Sequence, residues 1–322
     1  MASSDKKRKE RTAYDEGRPR NVMKIEFSHE DRGHRLRDFL RNRLNLSGRN
    51  IKRLAMDRQI YVDRKRVHLD YKIKGGESLV LNLDREEDQN IARVPMDLSI
   101  IYEDSSLLVV DKPPFLVVHP TKNHINDTLT NGLLWHFQER KDPAIVRLVS
   151  RLDMNTSGLV LIAKNQFIHS AFARAKETEK PVKTYLAITF GIWQEKSGLI
   201  DAPIHWPDKE DFRRVVDEAG QASRTHYRVL EEFGGFSLVE FILDTGRTHQ
   251  IRVHSRFMGH PLVGDELYEG PLLSEKPRQF LHAWRLDLKH PMTREELKLR
   301  APLPKDMADF IGKQGGSWRD DL

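Results

Sequence analysis

The residues able to do chemistry gather in two short segments of the chain. The first is VSRLDMNTSGLVLIAKN, Val149–Asn165. Here Asp153 lies between Leu152 and Met154, two residues after Arg151 and just before Asn155-Thr156-Ser157-Gly158 and an apolar run. A lone carboxylate fixed in a turn at a strand mouth can serve as nucleophile or general base. The same residues also make an ordinary turn with an aspartate cap, and local chemistry alone favours that reading. The second segment is LDTGRTHQIRVHSRFMGHPLVGDELYEG, Leu243–Gly270, where Arg247, Arg252, Arg256, His249 and His254 crowd together. A basic surface helix would account for the charge. Ile251 and Val253 interleave with the cations, however, which points some of them into a groove. A buried arginine needs an anion, either a polyphosphate backbone or an active-site carboxylate.

Several chemistries lack their signals. The chain has no Cys, which excludes disulfides, thiolate zinc sites, iron–sulfur clusters and cysteine nucleophiles. There is no GxGxxG, no GxxxxGK followed by Ser or Thr, no HExxH and no GxSxG, so NAD, ATP, metalloprotease and hydrolase-elbow readings have no motif. His119/His124 and His249/His254 are each five residues apart, a spacing that does not bring two imidazoles together, and no zinc site is expected. A catalytic triad is spatial rather than sequential, and nothing positive supports one. No run approaches the ~18 apolar residues of a spanning helix, and the N-terminus has no apolar core of a secretory signal. The expectation is a cytoplasmic protein without membrane contact.

The elements that must position these residues fall into two domains, as a length of 322 residues suggests. Residues 1–24 read as a flexible basic tail. Residues 25–85 read as a small basic module. In it, RLRDFLRNRL is a short amphipathic helix, Ile51, Leu54 and Ala55 mark one face of a second helix, QIYVD and RKRVHL are paired strands, and KIKGGESLVLNL is a hairpin around Gly75–Gly76. From Arg32 to Lys74 there are 14 Lys/Arg against 4 Asp/Glu, a net +10, while the whole chain carries +6. One short module therefore holds more than all the net positive charge, which points to a nucleic-acid partner. Arg49, Lys52 and Arg53 fall largely off the apolar face and are its candidate RNA contacts. Residues 86–98 read as a polar linker. Residues 99–311 form a mixed α/β stretch with strands at SIIYED, LLVVDKP, FLVVHP, LVLIAK, TYLAITFG and FSLVEFILD and helices around 129–140 and 168–176. Residues 312–322 read as a loose tail.

The module RLRDFLRNRLNLSGRNIKRLAMDRQIYVDRKRV resembles the S4 RNA-binding domain, with Arg37 at a position the family gives to Asp and with Gly48 between Ser47 and Arg49. A second resemblance covers roughly residues 100–305. SRLDMNTSGL, KTYLA and TGRTHQIRVHSRFMGHPLVGDELY, with LLVVDKPPFLVVHP upstream and FLHAWRL and APLP downstream, are similar to the successive motifs of the RluA/RluD-type pseudouridine synthases. An N-terminal S4 domain is a usual companion there. One departure is Ser150, where the family has His before Arg-Leu-Asp.

The resemblance implies an α+β fold: a mixed, largely antiparallel central sheet with flanking helices, preceded by the small S4-like α/β domain. It implies an isomerase acting on uridines of ribosomal or transfer RNA, without cofactor or metal; separately, nothing in the sequence suggests an obligate protein partner, and a monomer is the expectation. Asp153 matches the catalytic aspartate, which either attacks the sugar or base or takes the ribose 2′ proton. Tyr185 matches the tyrosine packed on the base, and Arg252 the arginine paired with the aspartate. Arg151, Leu152, Arg247, His249 and Ile251 are the expected substrate neighbours. A non-catalytic RNA-binding factor on the same scaffold and a glycosidase are the alternatives, and glycosidases generally need two carboxylates. Asp244 and Asp265 are the nearest second acids, and both read as turn residues. Release of the carbon-5 proton without free uracil separates the three.

Overall fold

Short apolar runs closed by capped turns build the first part of the chain. Ser47 opens the second helix by accepting the Asn50 amide at 3.1 Å, a typical N-cap contact. Asp63 and Arg64 both take positive φ, 44° and 67°, the conformation of a tight hairpin between right-twisted strands. The computed structural model describes residues 22–44, 46–83, 90–175, 177–208, 210–272 and 277–318. The expected basic tail up to residue 21, linker residues 86–89 and residues 319–322 lie outside them.

The first sheet has the order β1-β4-β2-β3, from β1 (Val22–Glu26), β2 (Ile60–Val62), β3 (Lys65–Arg66) and β4 (Ser78–Asn82). Two helices, α1 (Leu36–Asn42) and α2 (Gly48–Met56), pack on it through Leu36, Phe39, Leu40, Ile51 and Leu54. The hairpin expected at Gly75–Gly76 does not form. Strand β4 lies between β1 and β2, so residues 72–74 pair instead with the turn before α1, through Gly33 N to Ile73 O at 2.8 Å and Ile73 N to His34 O at 3.0 Å. The core of this part also takes in Phe167 and Met292 from the second part of the chain.

The second sheet is built from β5 (Ser99–Glu103), β6 (Leu107–Lys112), β7 (Arg147–Leu148), β8 (Ser157–Ala163), β9 (Val182–Phe190) and β10 (Ser197–Asp201), then β13 (Arg224–Phe233), β14 (Phe236–Leu243), β15 (Leu281–Lys289) and β16 (Glu296–Arg300). A small hairpin of β11 (Ile204–His205) and β12 (Val215–Val216) stands apart from it. The main path runs β10-β13-β14-β9-β15-β8-β6-β5, with β7 against β8 and β16 against β15. All pairs are antiparallel except β15–β8, where His282 and Ala283 face Ser157 and Gly158. Helices α3 (Leu129–Glu139), α4 (Gln166–Ala173), α5 (Gln250–Phe257) and α6 (Lys305–Lys313) complete it. This is the expected mixed, mostly antiparallel sheet with flanking helices.

Three local expectations differ. FLVVHP forms no strand, only a bridge from Val117 to Thr128. Residues 90–98 lie along α3: Asn131 donates to Ala92 O at 2.8 Å, and Ile91 and Leu98 join the apolar cluster beneath. The segment after α6 folds back, with Ser317 N on Glu231 at 2.6 Å and the Trp318 ring edge-on to Trp284 at 5.8 Å, so residues 312–318 do not trail loosely.

The parallel β15–β8 contact is tight. Gly158 has φ +108°, and a Cβ there would overlap the Ala283 carbonyl. Beside it His282 is buried, with Nδ1 3.0 Å from the Ser157 hydroxyl. Burial pushes its pKa down to about 4, against an ordinary value near 6.5. The unfolded chain then binds more protons than the folded one as pH falls from 6.5 toward 4, so stability is lost in that window. Urea unfolding of His282→Gln should therefore lose roughly 2 kcal/mol less between pH 7 and 4.5 than wild type does. Parallel stability profiles for the two proteins would contradict this.

Candidate active site

The turn that carries Asp153 is held at successive residues. Its backbone closes on itself through Thr156 N to Asp153 O at 3.1 Å. Lys112, at the end of β6 and wholly buried, donates to the carbonyls of Pro113, Leu116 and Met154 at 2.9, 3.0 and 2.9 Å. Three acceptors match the three N–H bonds of an ammonium ion. Burial pushes the Lys112 pKa down to about 7, with nearby Asp153 opposing it. Arg278 donates to Asn155 O at 3.4 Å while its fork grips Asp306 at 2.6 and 2.7 Å, which ties α6 to the turn. Gln279 donates to the Thr156 hydroxyl at 3.1 Å. Ser150, the residue that departs from the family pattern, is buried and accepts the Leu161 amide at 3.3 Å. It thereby secures the chain entering the turn.

Helix α5 brings the cation. Arg252 is 7% exposed and divides its guanidinium between two carboxylates. Nε and Nη2 donate to Asp265 at 2.7 and 2.8 Å, and Nη1 donates to Asp153 Oδ2 at 3.0 Å. Burial by itself would lower the Arg252 pKa, but Asp265 and Asp153 outweigh it and raise it. Asp265 is 1% exposed, whereas the Asp153 side chain retains 31%. One carboxylate is thus a fixed counter-ion and the other faces outward. His249, at the start of α5, places Nε2 3.7 Å from Asp153 Oδ2 and Nδ1 2.9 Å from the Tyr268 hydroxyl. Burial lowers its pKa, with Asp153 acting the other way.

Tyr185 is on β9, opposite Ala283 of β15, and β15 in turn borders β8. Its ring packs in one cluster with Ile251, half-buried Leu152, Phe241 and Leu281. Burial and then the charge of Asp153 raise its pKa, so it is a neutral phenol near neutral pH. The structure therefore brings Asp153, Arg252, His249 and Tyr185 together, over the apolar pair Leu152 and Ile251. Arg151 is exposed beside the turn. Arg247 is exposed on the wall of an open groove of about 500 Å³ that Trp206, Arg214, Gln221, Gly246 and Thr248 also line. Arg49 and Lys52 are exposed on α2. Arg53 is half-buried, its guanidinium 5.3 Å from the centre of the Phe167 ring.

The sequence passes over Lys112 and Tyr268 and reads Asp265 only as a turn residue. Asp265 does act as a turn residue, accepting the Tyr268 amide at 3.3 Å, and in addition it grips Arg252. The signal available for it was the buried arginine itself. One guanidinium has more donors than a single carboxylate can satisfy, so a second acid was to be sought nearby.

Known proteins resemble this chain over most of its length. The family profile for RNA pseudouridylate synthase matches residues 106–256. An RNA pseudouridine synthase of Bacillus subtilis, YlyB, is 37% identical over 295 residues, which is 90% of this chain and 97% of that protein. Ribosomal large subunit pseudouridine synthase D of Nitrosomonas europaea is 39% identical over 261 residues, 78% of this chain and 76% of that one. The structure of human RNA pseudouridylate synthase domain containing 4 superposes with a TM-score of 0.56 at 26% identity, covering 67% of this chain and 92% of that chain. With relatives alike along most of its length, the chain belongs to the RNA pseudouridine synthases, the enzymes that isomerise uridine in RNA to pseudouridine.

Proposed function

We propose that Asp153 is the catalytic carboxylate, that Arg252 holds it in place, that Tyr185 packs on the target base, and that the substrate is a uridine of large-subunit ribosomal RNA. The observation that carries this reading is the 3.0 Å contact from Arg252 Nη1 to Asp153 Oδ2, with the rest of the guanidinium committed to buried Asp265. The ribosomal substrate rests on relatives named for it, at 39% and 38% identity. In the isomerisation the N1–C1′ bond breaks, the uracil turns, carbon 5 bonds to C1′, and a proton leaves carbon 5 as N1 gains one. No atoms are gained or lost overall. A base at this depth must leave its stack. Tyr185, Leu152 and Ile251 would back its pocket, while His249, Arg151 and Arg247 line the approach. The neutral phenol of Tyr185 suits packing better than proton removal.

Residues 25–85 are proposed as an S4-like RNA-binding domain and 99–311 as the catalytic domain, with 90–98 and 312–318 packed on existing elements. The net +10 between Arg32 and Lys74 supports that role. We place the enzyme in the cytoplasm as a monomer whose partner is RNA. Arg53, set over Phe167, serves the packing between the two parts rather than phosphate.

Two outcomes test these roles. Asp153→Asn keeps the shape of the side chain and removes nucleophile and base together. Isomerisation, read as tritium released from carbon 5, should fall by roughly 10³ or more while RNA affinity is kept; comparable turnover would reject the assignment. Replacing Arg49 and Lys52 together by Gln should reduce the slope of log affinity against log salt by about two units if each meets a phosphate. Arg53→Gln should leave the slope unchanged. Equal slopes for wild type and the Arg49/Lys52 variant would assign those side chains no contact with RNA.

A further inference from the structure

A chain of polar contacts runs from the β11–β12 hairpin through Tyr268 and His249 toward Asp153. Arg214 N, next to β12, donates to the Tyr268 hydroxyl oxygen at 2.9 Å. That hydroxyl lies 2.9 Å from His249 Nδ1. Burial lifts the Tyr268 pKa to about 12, so the phenol keeps its single proton. Among the described residues, His249 Nδ1 is its hydrogen-bond acceptor. Burial keeps the imidazole neutral near pH 7, and a neutral ring that accepts at Nδ1 carries its proton on Nε2. That Nε2–H faces Asp153 Oδ2.

At 3.7 Å the Nε2–Oδ2 contact is longer than a hydrogen bond. Catalytic contacts commonly tighten once substrate is bound. The backbone holds the ring at this spot: His249 has φ +59°, in the left-handed region, directly before α5. Non-glycine residues enter that region at a cost and do so more often at functional sites. The edge of one ring also meets the face of the other, with the His249 and Tyr268 centroids 5.7 Å apart at 84°.

We propose that His249 is a positioning residue for Asp153: held in its Nε2–H tautomer by Tyr268, it directs that N–H at Oδ2, so that Arg252 and His249 together claim Oδ2 and Oδ1 is the oxygen presented to the substrate. This rests on Asp153 being the catalytic carboxylate. The charged and titratable groups around the imidazole are Asp153, Arg252, Asp265, Arg214 and Tyr268. Both routes open to the carboxylate, attack and removal of the 2′ proton, need an oxygen free of donors. Because Tyr268 also takes the Arg214 amide, the β11–β12 hairpin bears on the orientation of that oxygen.

The test uses the full-length enzyme on saturating RNA. His249→Leu removes the donor and His249→Gln retains an N–H of similar reach, while both meet the same left-handed backbone. We expect kcat to fall roughly 10- to 100-fold in Leu, the worth of a hydrogen bond to a charged group, with KM changed by about twofold or less. Gln should recover most of that loss. The imidazole ¹⁵N spectrum, with the His249 signals identified by their disappearance in His249→Gln, should show a protonated Nε2 and a bare Nδ1 near neutral pH. Tyr268→Phe should shift it toward the other tautomer. Equal kcat losses in Leu and Gln, an unchanged kcat in Leu, or a protonated Nδ1 in wild type would overturn the proposal. If Leu fails to fold, Gln and the spectrum still decide. Turnover by Asp153→Asn would instead show that the assignment of Asp153, not the role of His249, is at fault.

Discussion

Arg252 carries a full charge into the interior, 7% exposed, and shares it between two acids. A buried ion is costly unless its partners are well placed and its remaining donors are satisfied. Asp265 meets that demand with two parallel contacts, the fork geometry a guanidinium offers and an ammonium does not. Only then is Nη1 left aimed at Asp153. Much of the surrounding architecture serves this alignment. The close β15–β8 pairing sets Gly158 against Ala283, β9 adds Tyr185 on the other side of β15, and Lys112, Arg278 and Gln279 pin three successive residues of the Asp153 turn.

The parts of the site legible in the sequence were those with an unusual local composition. Asp153 in Arg-Leu-Asp before Asn-Thr-Ser-Gly, and Arg252 among alternating Ile and Val, each stood out; the demand of a buried arginine for an anion left phosphate and carboxylate both open, the family resemblance alone paired it with Asp153, and the two side chains lie 3.0 Å apart. Asp265 did not stand out, because an acid after a Gly-Pro-rich turn looks like a cap, and it is one. Its second contact exists only once α5 folds back over the turn. Lys112 was hidden in a strand motif, since nothing local tells that its side chain ends beneath Met154, 42 residues along the chain.

The fold was legible in outline and less so in pairing. Continuous apolar runs such as β6 and β8, buried on both faces, were found readily. The ten-residue β13 was passed over because Arg224, His226, Arg228, Glu231 and Glu232 interrupt it, which is how a strand with one wet face reads. The expected hairpin at Gly75–Gly76 failed for a non-local reason: β4 has β1 and β2 as its two neighbours. Arg53 illustrates the same limit. By spacing it belongs with Arg49 and Lys52, yet the aromatic face of Phe167, more than a hundred residues away in sequence, takes it up.

The central claim is that Asp265 acts on the chemistry only by holding Arg252 against Asp153. A double-mutant cycle on kcat with Asp265→Asn and Arg252→Met tests it most directly. Each single change should lower kcat, by roughly tenfold or more, with RNA affinity kept. Adding Asp265→Asn to Arg252→Met should cost little further, because the contact it supports is already gone. Full additivity of the two losses would contradict the account, since it would mean that Asp265 and Arg252 serve the reaction independently.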